Sequence, residues 1–420
     1  MADVVIAGGG PAGATLALLL GRAGLSVELY EAKRFPREKP CGEGIMPAGV
    51  AVLDRLGLRD AVGGRPIASV RYHGFGLTAE AGFPVGADGT PPVALGQRRW
   101  LLDQTLLAAA RATPGVRVFE EAPVEGAVVE AGRAIGLRVG GELRRGGLVV
   151  GADGLASPVR RSLGLERRGR QEDGKGGRVG VRTHYRLAAG QAGPSRLEIF
   201  VGGGYELYAA PLPDGELLLA ALGDHDALGS SARASLDRWI GEQPPLREWL
   251  DGATPLTKLA GRAPVTRRAR AGFAPGAVLL GDAARATDPL TAGGIAHALV
   301  TADRLAAIVP GLLAAGDADA AVARFDRERR RLLRAHDWLT RALVFLVARP
   351  LLARATMRGM RAAPGLMRAL LGVGGGVGLM TGGRAQPPAS VTAATSAALA
   401  LPASSATDQN ATLSQRAGSA

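Results

Sequence analysis

Residues 1–31 read Met1-Ala-Asp-Val-Val-Ile-Ala-Gly8-Gly9-Gly10-Pro11-Ala12-Gly13-Ala-Thr, then Leu-Ala-Leu-Leu-Leu-Gly-Arg-Ala-Gly24, then Leu-Ser-Val27-Glu-Leu-Tyr30-Glu31. Val4 to Ala7 is an apolar run of buried-strand length. Gly8, Gly10 and Gly13 give G-x-G-x-x-G. An apolar helical stretch from Pro11 to about Arg22 follows, Gly24 stops it, and Val27 to Tyr30 forms a second strand ending at Glu31. Strand, glycine turn, helix, strand and acid in that order make a Rossmann-type dinucleotide fingerprint. Gly8 permits the tight turn, Gly10 lets the backbone approach a pyrophosphate, and Gly13 lets the helix pack on the strand. The helix N-terminus offers free N–H groups and partial positive charge to phosphates. Glu31 is placed to accept hydrogen bonds from a ribose. The fingerprint alone leaves FAD and NAD both open.

Two later strand tips repeat the design. Leu148 to Val150 runs into Gly151-Ala-Asp153-Gly154, followed by Ser157 as N-cap and Pro158 as the first residue of a helix. Asp153 there suits a ribose, or the orientation of a neighbour such as Arg160. Val278 to Leu280 ends at Gly281-Asp282. Pro289, Gly293 and Gly294 then make a loop into a helix from Ile295 to Ile308. Asp282 suits polyol hydroxyls, and the Gly293-Gly294-Ile295 amides suit negative charge on a ring system. His297 falls in the first turn of that helix, where packing is the first expectation and substrate contact the second.

Between these tips lie a loop, Lys39-Pro40-Cys41-Gly42-Glu43-Gly44, and a strand-rich region. Lys33 or Arg34, just before the loop, is expected to pair with phosphate or ribose. Met46 to Leu56 is expected to be helical, and Gly96 to about Ala110 gives a clear helix. Val124–Val129 and Ile135–Val139 form a hairpin pair. From Val179 to Leu222, strands around Phe200, Tyr205-Glu-Leu-Tyr208 and Leu218 are separated by Gly and Pro-Asp-Gly turns, the signature of an antiparallel sheet. Pro264 to Arg270 is expected to be a strand.

The chain has 420 residues, 47% of them apolar, enough for two or three units with a substantial core. One cysteine, Cys41, excludes an intramolecular disulfide and fits a reducing compartment. We expect no signal peptide and no membrane-spanning helix, since no uninterrupted apolar run of about 18 residues is present. The net charge of +13 comes mostly from Arg324–Arg384, with thirteen arginines and three acids. That concentration, with few aromatics, argues against nucleic-acid binding. It leaves two readings of a basic helical segment: contact with anionic lipid, or a solvated arginine face. His73, His184, His225, His297 and His336 have no ligand spacing with Cys41, so no metal is expected. The Gly/Ala/Ser/Thr-rich end is expected to be disordered.

The three motifs together resemble the FAD-dependent oxidoreductases of the p-hydroxybenzoate hydroxylase fold, which include aromatic monooxygenases and geranylgeranyl reductases. The resemblance covers about three quarters of the chain. It implies an α/β fold, α+β overall, with a discontinuous FAD-binding domain (1–68, 96–178 and 271–317) and an inserted antiparallel-sheet substrate domain (69–95 and 179–270). A basic helical region (318–371) and a disordered tail (372–420) follow. It implies FAD held by Gly8, Gly10, Pro11, Ala12, Gly13, Glu31, Ala32, Lys33, Arg99, Val124, Asp153, Gly281, Asp282, Pro289, Gly293, Gly294 and Ile295, with NAD(P)H as reductant. The Cys41 loop and Asp288-Pro289-Leu-Thr291 resemble the geranylgeranyl reductase branch. Those reductases carry a Tyr-x-Trp-x-Phe-Pro strand, where this chain has Tyr205-Glu-Leu-Tyr208-Ala-Ala-Pro211. The Cys-Gly-Glu-Gly form also resembles hydroxylases of polyketide phenols. The expected reaction is therefore hydroxylation of a hydrophobic phenol with oxygen as co-substrate, the alternative being saturation of a prenyl C=C bond. Cys41, Glu43, Tyr205 and His297 are the catalytic candidates. A cytoplasmic location is expected, with the basic helices in reach of the inner face of a membrane.

Overall fold

A computed structural model describes residues 1–86, 89–167, 178–315 and 318–380. Its first sheet runs, in spatial order, Phe273–Ala274, Ala277–Leu279, Glu142–Gly151, Ala2–Ala7, Val27–Tyr30 and Val116–Phe119. All neighbours are parallel except the first two strands, which form a hairpin. The register is what matters for function. Ala7 pairs with Tyr30 on one side and Gly151 on the other, and Gly151 pairs with Leu279. Gly8, Glu31, Asp153 and Gly281, more than 270 positions apart at the extremes, thus leave the sheet at one level. That level is the carboxyl rim, where open α/β sheets bind ligands.

Helices Pro11–Arg22, Arg99–Arg111 and Gly294–Ala306 cover this sheet. Proline at the first position opens the first of them, and Ser157 caps Pro158–Ser162 by accepting the Arg160 N–H at 2.9 Å. The run Gly294–Ala314, which Asp303 and Arg304 interrupt, is long and apolar enough to cross a membrane by length and composition alone, but 67% of its most apolar window is buried in the protein. It packs on Pro11–Arg22 and on Pro47–Leu56 as a core helix.

The second sheet is antiparallel but for one pair. Its order is Thr254–Pro255, Arg178–Arg186, Glu216–Asp224, Tyr205–Pro211, Leu197–Val201, Ser69–Gly74 and Leu77–Gly82. Side chains alternate between its faces. Tyr205, Leu207 and Ala209 pack with Leu236, Trp239 and Leu246 of the helices Ala232–Gly241 and Pro244–Leu250. The opposite face looks toward the rim of the first sheet. The segment from Pro264 forms a strand only at Arg267–Arg268, because its partner, Arg285–Ala286, is two residues long.

The arginine-rich region is four helices, Ala318–Leu332, Arg334–Val347, Pro350–Ala362 and Pro364–Gly374. The last two lie over Leu77–Gly82, with Met357, Met360 and Met367 packed on Ala79 and Ala81. Order continues past Gly372, with a short helical turn at Val377–Leu379. The expected disorder from residue 381 onward lies outside the described residues.

Candidate functional site

A cavity of about 270 Å³ lies between the rim of the first sheet and the inner face of the second. The three sequence motifs meet there: Gly10, Pro11 and Ala12, then Ala152 and Gly154, then Gly281, Asp282, Pro289, Gly294 and Ile295. The glycines do different things. A Cβ on Gly13 would stand 1.9 Å from the Gly8 carbonyl oxygen, and one on Gly8 would stand 2.4 Å from that of Ala152 and require φ near +98°. These two exist for packing. At Gly10 a Cβ would meet only Arg37 Nη2, at 3.8 Å, and at Gly294 nothing within 4 Å. Those two keep space open for something else, each at the N-terminus of a helix of twelve or more residues. Gly293 packs: a Cβ there would lie 2.4 Å from His336 Nε2.

Glu31 sits at its strand tip with Oε2 accepting the Gly9 N–H at 2.8 Å and Oε1 accepting that of Lys33 at 3.0 Å. A carboxylate has lone pairs left over for a ribose. Ala32, Lys33 and Arg34 are exposed and do not line the cavity. The basic group beside the glycine turn is instead Arg37, 3.6 Å from Glu31 and 3.3 Å from Asp103. Arg99 lines the cavity, buried, in a two-bond pair with Asp103 at 2.9 Å each. Burial works against its charge, but Asp103 and Cys41 outweigh this and hold the guanidinium above its usual pKa. Val124 packs with the core beneath the rim and does not reach the cavity. Asp153 accepts the Val159 N–H at 3.0 Å, and its Oδ1 is buried without a partner among the described residues. Arg160 does not partner it through a hydrogen bond; that guanidinium bonds Glu166, Ala283 O and Leu155 O.

Of the four catalytic candidates, Cys41, Glu43 and His297 line the cavity and Tyr205 does not. Tyr205 stacks on Trp239 and donates to Glu242 at 2.6 Å, on the far face of the sheet. Alternation makes Glu206, Tyr208 and Ala210 the inward residues instead. Counted back from Pro211, these are the three positions that the reductases fill with tyrosine, tryptophan and phenylalanine. Glu43 is wholly buried, φ +54°, with Oε2 2.7 Å from His184 Nε2 and Oε1 accepting the Arg99 N–H at 3.1 Å. It anchors the Cys41 loop to the second sheet. His297 lies edge-on to His336; burial pushes both below the usual histidine range, His336 to about 4, so both are neutral at neutral pH.

A second cavity, about 80 Å³ and almost entirely apolar, opens beside the first. The two share Met46, Leu197, Tyr208 and Ala292 as walls. Leu343, Met357, Met367 and Leu371 from the C-terminal helices also line the second cavity. Glu206 lines it, with Oε1 buried and unpartnered among the described residues and Oε2 paired to Arg178, whose other nitrogen bonds Asp288 at 2.9 Å. Burial, only partly offset by Arg178, pushes the Glu206 carboxyl up to about 7. Sequence reading missed Glu206, Tyr208, Arg178 and His184. The available signal was the period-two pattern of Tyr205–Pro211.

Residues 1–202 match the FAD binding domain family. The chain is 32% identical over 326 residues to the menaquinone reductase of Mycobacterium tuberculosis, covering 73% of this chain and 76% of that one. The chain belongs to the FAD-dependent oxidoreductases. It is also 36% identical to the 6-methylpretetramide 4-monooxygenase of Streptomyces rimosus, but over 174 residues, 39% of this chain and 41% of that one. A geranylgeranyl bacteriochlorophyll reductase-like protein of Thermoplasma acidophilum superposes with a TM-score of 0.70 at 20% identity, over 83% of this chain and 87% of that one, which shows the common fold. FAD fits the residues present: two helix N-termini with open glycines suit its diphosphate and ring, and Glu31 and Asp282 suit its hydroxyls.

Proposed function

We propose that this oxidoreductase saturates a carbon–carbon double bond in a long apolar, isoprenoid-like substrate. The observation that carries this reading is the second cavity. A phenol needs only the first; an elongated chain needs an apolar extension beside the flavin motifs, and the walls at Met46, Leu197, Tyr208 and Ala292 are common to both. FAD held at these motifs and reduced by NAD(P)H, the proposed reductant, would supply a hydride to one carbon of the double bond. The protein's task is then to hold the chain, exclude water and deliver a proton to the other carbon. Glu206 is suited to that. It faces the apolar cavity, its Oε1 has no partner among the described residues, and with a pKa of about 7 it can be protonated at neutral pH. Ala210, where the reductases carry phenylalanine, leaves room in the main cavity. The relatives named as reductases of menaquinone and of digeranylgeranylglycerophospholipids support the same reading over 71–73% of the chain.

Hydroxylation of a polyketide-like phenol is the second reading, favoured by the higher identity to the monooxygenase. The test is anaerobic turnover of the flavin-loaded protein with NAD(P)H and a panel of prenyl quinones, prenyl lipids and alkylphenols, read by mass spectrometry. A product gaining two hydrogens without oxygen, and keeping them after any quinol is reoxidised to the quinone, is expected. A product that appears only with oxygen, one oxygen atom heavier, overturns this reading in favour of hydroxylation.

We further propose that the outer surface of the C-terminal helices rests on a membrane that holds the substrate. Trp338, Phe345, Leu351 and Leu366 are exposed there among arginines. Sedimentation with anionic liposomes that persists after Trp338→Ser and Leu351→Ser would overturn it.

A further inference from the structure

The arginines of the C-terminal segment do not all face outward. Between the strand pair Arg267–Arg268/Arg285–Ala286 and the helices Ala318–Leu332 and Arg334–Val347 lies a small third pocket, lined by Arg268, Arg285, Arg329 and Arg330 with Asp337. It is joined to the main cavity through Arg285, Arg329 and Leu333, which line both. Two carboxylates serve this group. Asp337 pairs with Arg285, and Asp326 is shared by Arg329, Arg330 and the Gly272 N–H. The side chain of Arg329 is only 6% exposed and its buried Nε has no partner among the described residues. Arg341 adds its charge, so among the described residues the guanidiniums here outnumber the acids. Burial and the neighbouring Arg268, Arg329 and Arg341 push Arg285 down to about 9.

Such crowding is costly unless something else completes it. A guanidinium cluster in a concave, partly dry place is the standard means of holding phosphate oxygens, through forked charge-assisted hydrogen bonds. The pocket is too small for more than a compact oxyanion group, and the main cavity adjoins it, so the rest of the ligand lies there. We propose that Arg268, Arg285, Arg329 and Arg330 form an oxyanion pocket that receives a phosphate group of a ligand seated in the main cavity. The phosphate comes from one of two sources: the head group of the isoprenoid-like substrate, or the nicotinamide dinucleotide. The pocket does not depend on which carbon is reduced, so it survives if the reaction is hydroxylation.

The test uses the flavin-loaded full chain, wild type and Arg268→Gln, with Arg330→Gln as a second variant; both side chains are partly exposed, so folding does not hinge on them. Three probes are titrated at fixed ionic strength: geranylgeranyl diphosphate, geranylgeraniol and NADPH. In one outcome the diphosphate binds wild type about tenfold or more tightly than the alcohol and loses that advantage in the variants, which assigns the pocket to the substrate. In another, the apparent Kd for NADPH rises about tenfold in the variants while both prenyl ligands are unaffected, which assigns it to the nucleotide. If both variants retain wild-type affinity for all three, the proposal is overturned. Inorganic pyrophosphate competing equally well in wild type and variants would overturn it too.

Discussion

The rim of the parallel sheet and the inner face of the antiparallel sheet wall the same cavity, but they are built on opposite principles. The rim works through backbone. Gly10 and Gly294 matter for the side chains they lack, and the register Ala7–Gly151–Leu279 brings their motifs together. The inner face works through side chains selected by alternation: Glu206, Tyr208 and Ala210 look in, while Tyr205, Leu207 and Ala209 look out. A backbone site tolerates no substitution where a ligand must pass close. A side-chain site should lose single properties one at a time.

The largest effect expected is on the rim. Gly10→Trp places its side chain where a Cβ meets only Arg37 Nη2 at 3.8 Å, so the fold should survive, but the space left for a diphosphate is filled. The purified variant is expected to be colourless, with wild-type far-UV circular dichroism. Stoichiometric flavin in that variant would remove Gly10 from the site. Gly13→Ala is the contrast. A Cβ 1.9 Å from the Gly8 carbonyl forces the helix off the strand, so flavin and thermal stability should fall together.

The next effect belongs to the inner face. Glu206→Gln keeps shape and removes the acid. Flavin content should be unchanged, while kcat falls about 100-fold, the range for a lost general acid. The sign of the pH dependence follows from the raised pKa. The protonated form is the donor, so activity is present below about 7 and lost as pH rises through it. The stability contribution has the same sign, because the fold favours the protonated carboxyl; it is fully present below the ordinary carboxylate range and lost through about 7. A kcat profile that keeps its basic limb in Glu206→Gln would assign that limb to another group.

A smaller effect is expected where the C-terminal helices line the apolar cavity. Met357→Trp adds bulk to the apolar wall that Met357 shares with Met367 and Leu343. Long-chain substrates should lose about tenfold in kcat/KM, while a short-chain analogue turns over unchanged. An equal loss for both would place the chain elsewhere.

The same contrast explains what was legible in the sequence. Glycines, acids and strand tips are local signals, and the fingerprint at residues 8–31, Asp153 and Asp282 could each be recognised without knowing the other two. The face of a strand is also local information, but only if the frame is right. Starting the count at Tyr205 selects the residue that stacks on Trp239, and counting back from Pro211 selects Glu206 and Tyr208. The Glu43–His184 contact joins residues 141 positions apart and leaves no local trace. Nor does the division of the arginines. Arg329 turns inward beside Asp326 and Arg331 is exposed, although both stand in one run of basic residues.

The smallest expected effect tests the frame itself, through paired variants of two tyrosines three residues apart. Tyr205→Phe removes a hydrogen bond to Glu242, an exposed partner that water can satisfy, and leaves the stacking on Trp239 in place. It should cost about 1 kcal/mol or less and leave kcat and KM as they are. Tyr208→Phe removes the bond to the Leu290 carbonyl, 3.3 Å away at the wall between the two cavities, and should raise KM several-fold with little change in stability. The pair is informative because the chemistry of the two substitutions is identical and only the face differs. If Tyr205→Phe alters turnover and Tyr208→Phe does not, the substrate lies on the helical side of the sheet, and the cavity assigned to it here is not the one the enzyme uses.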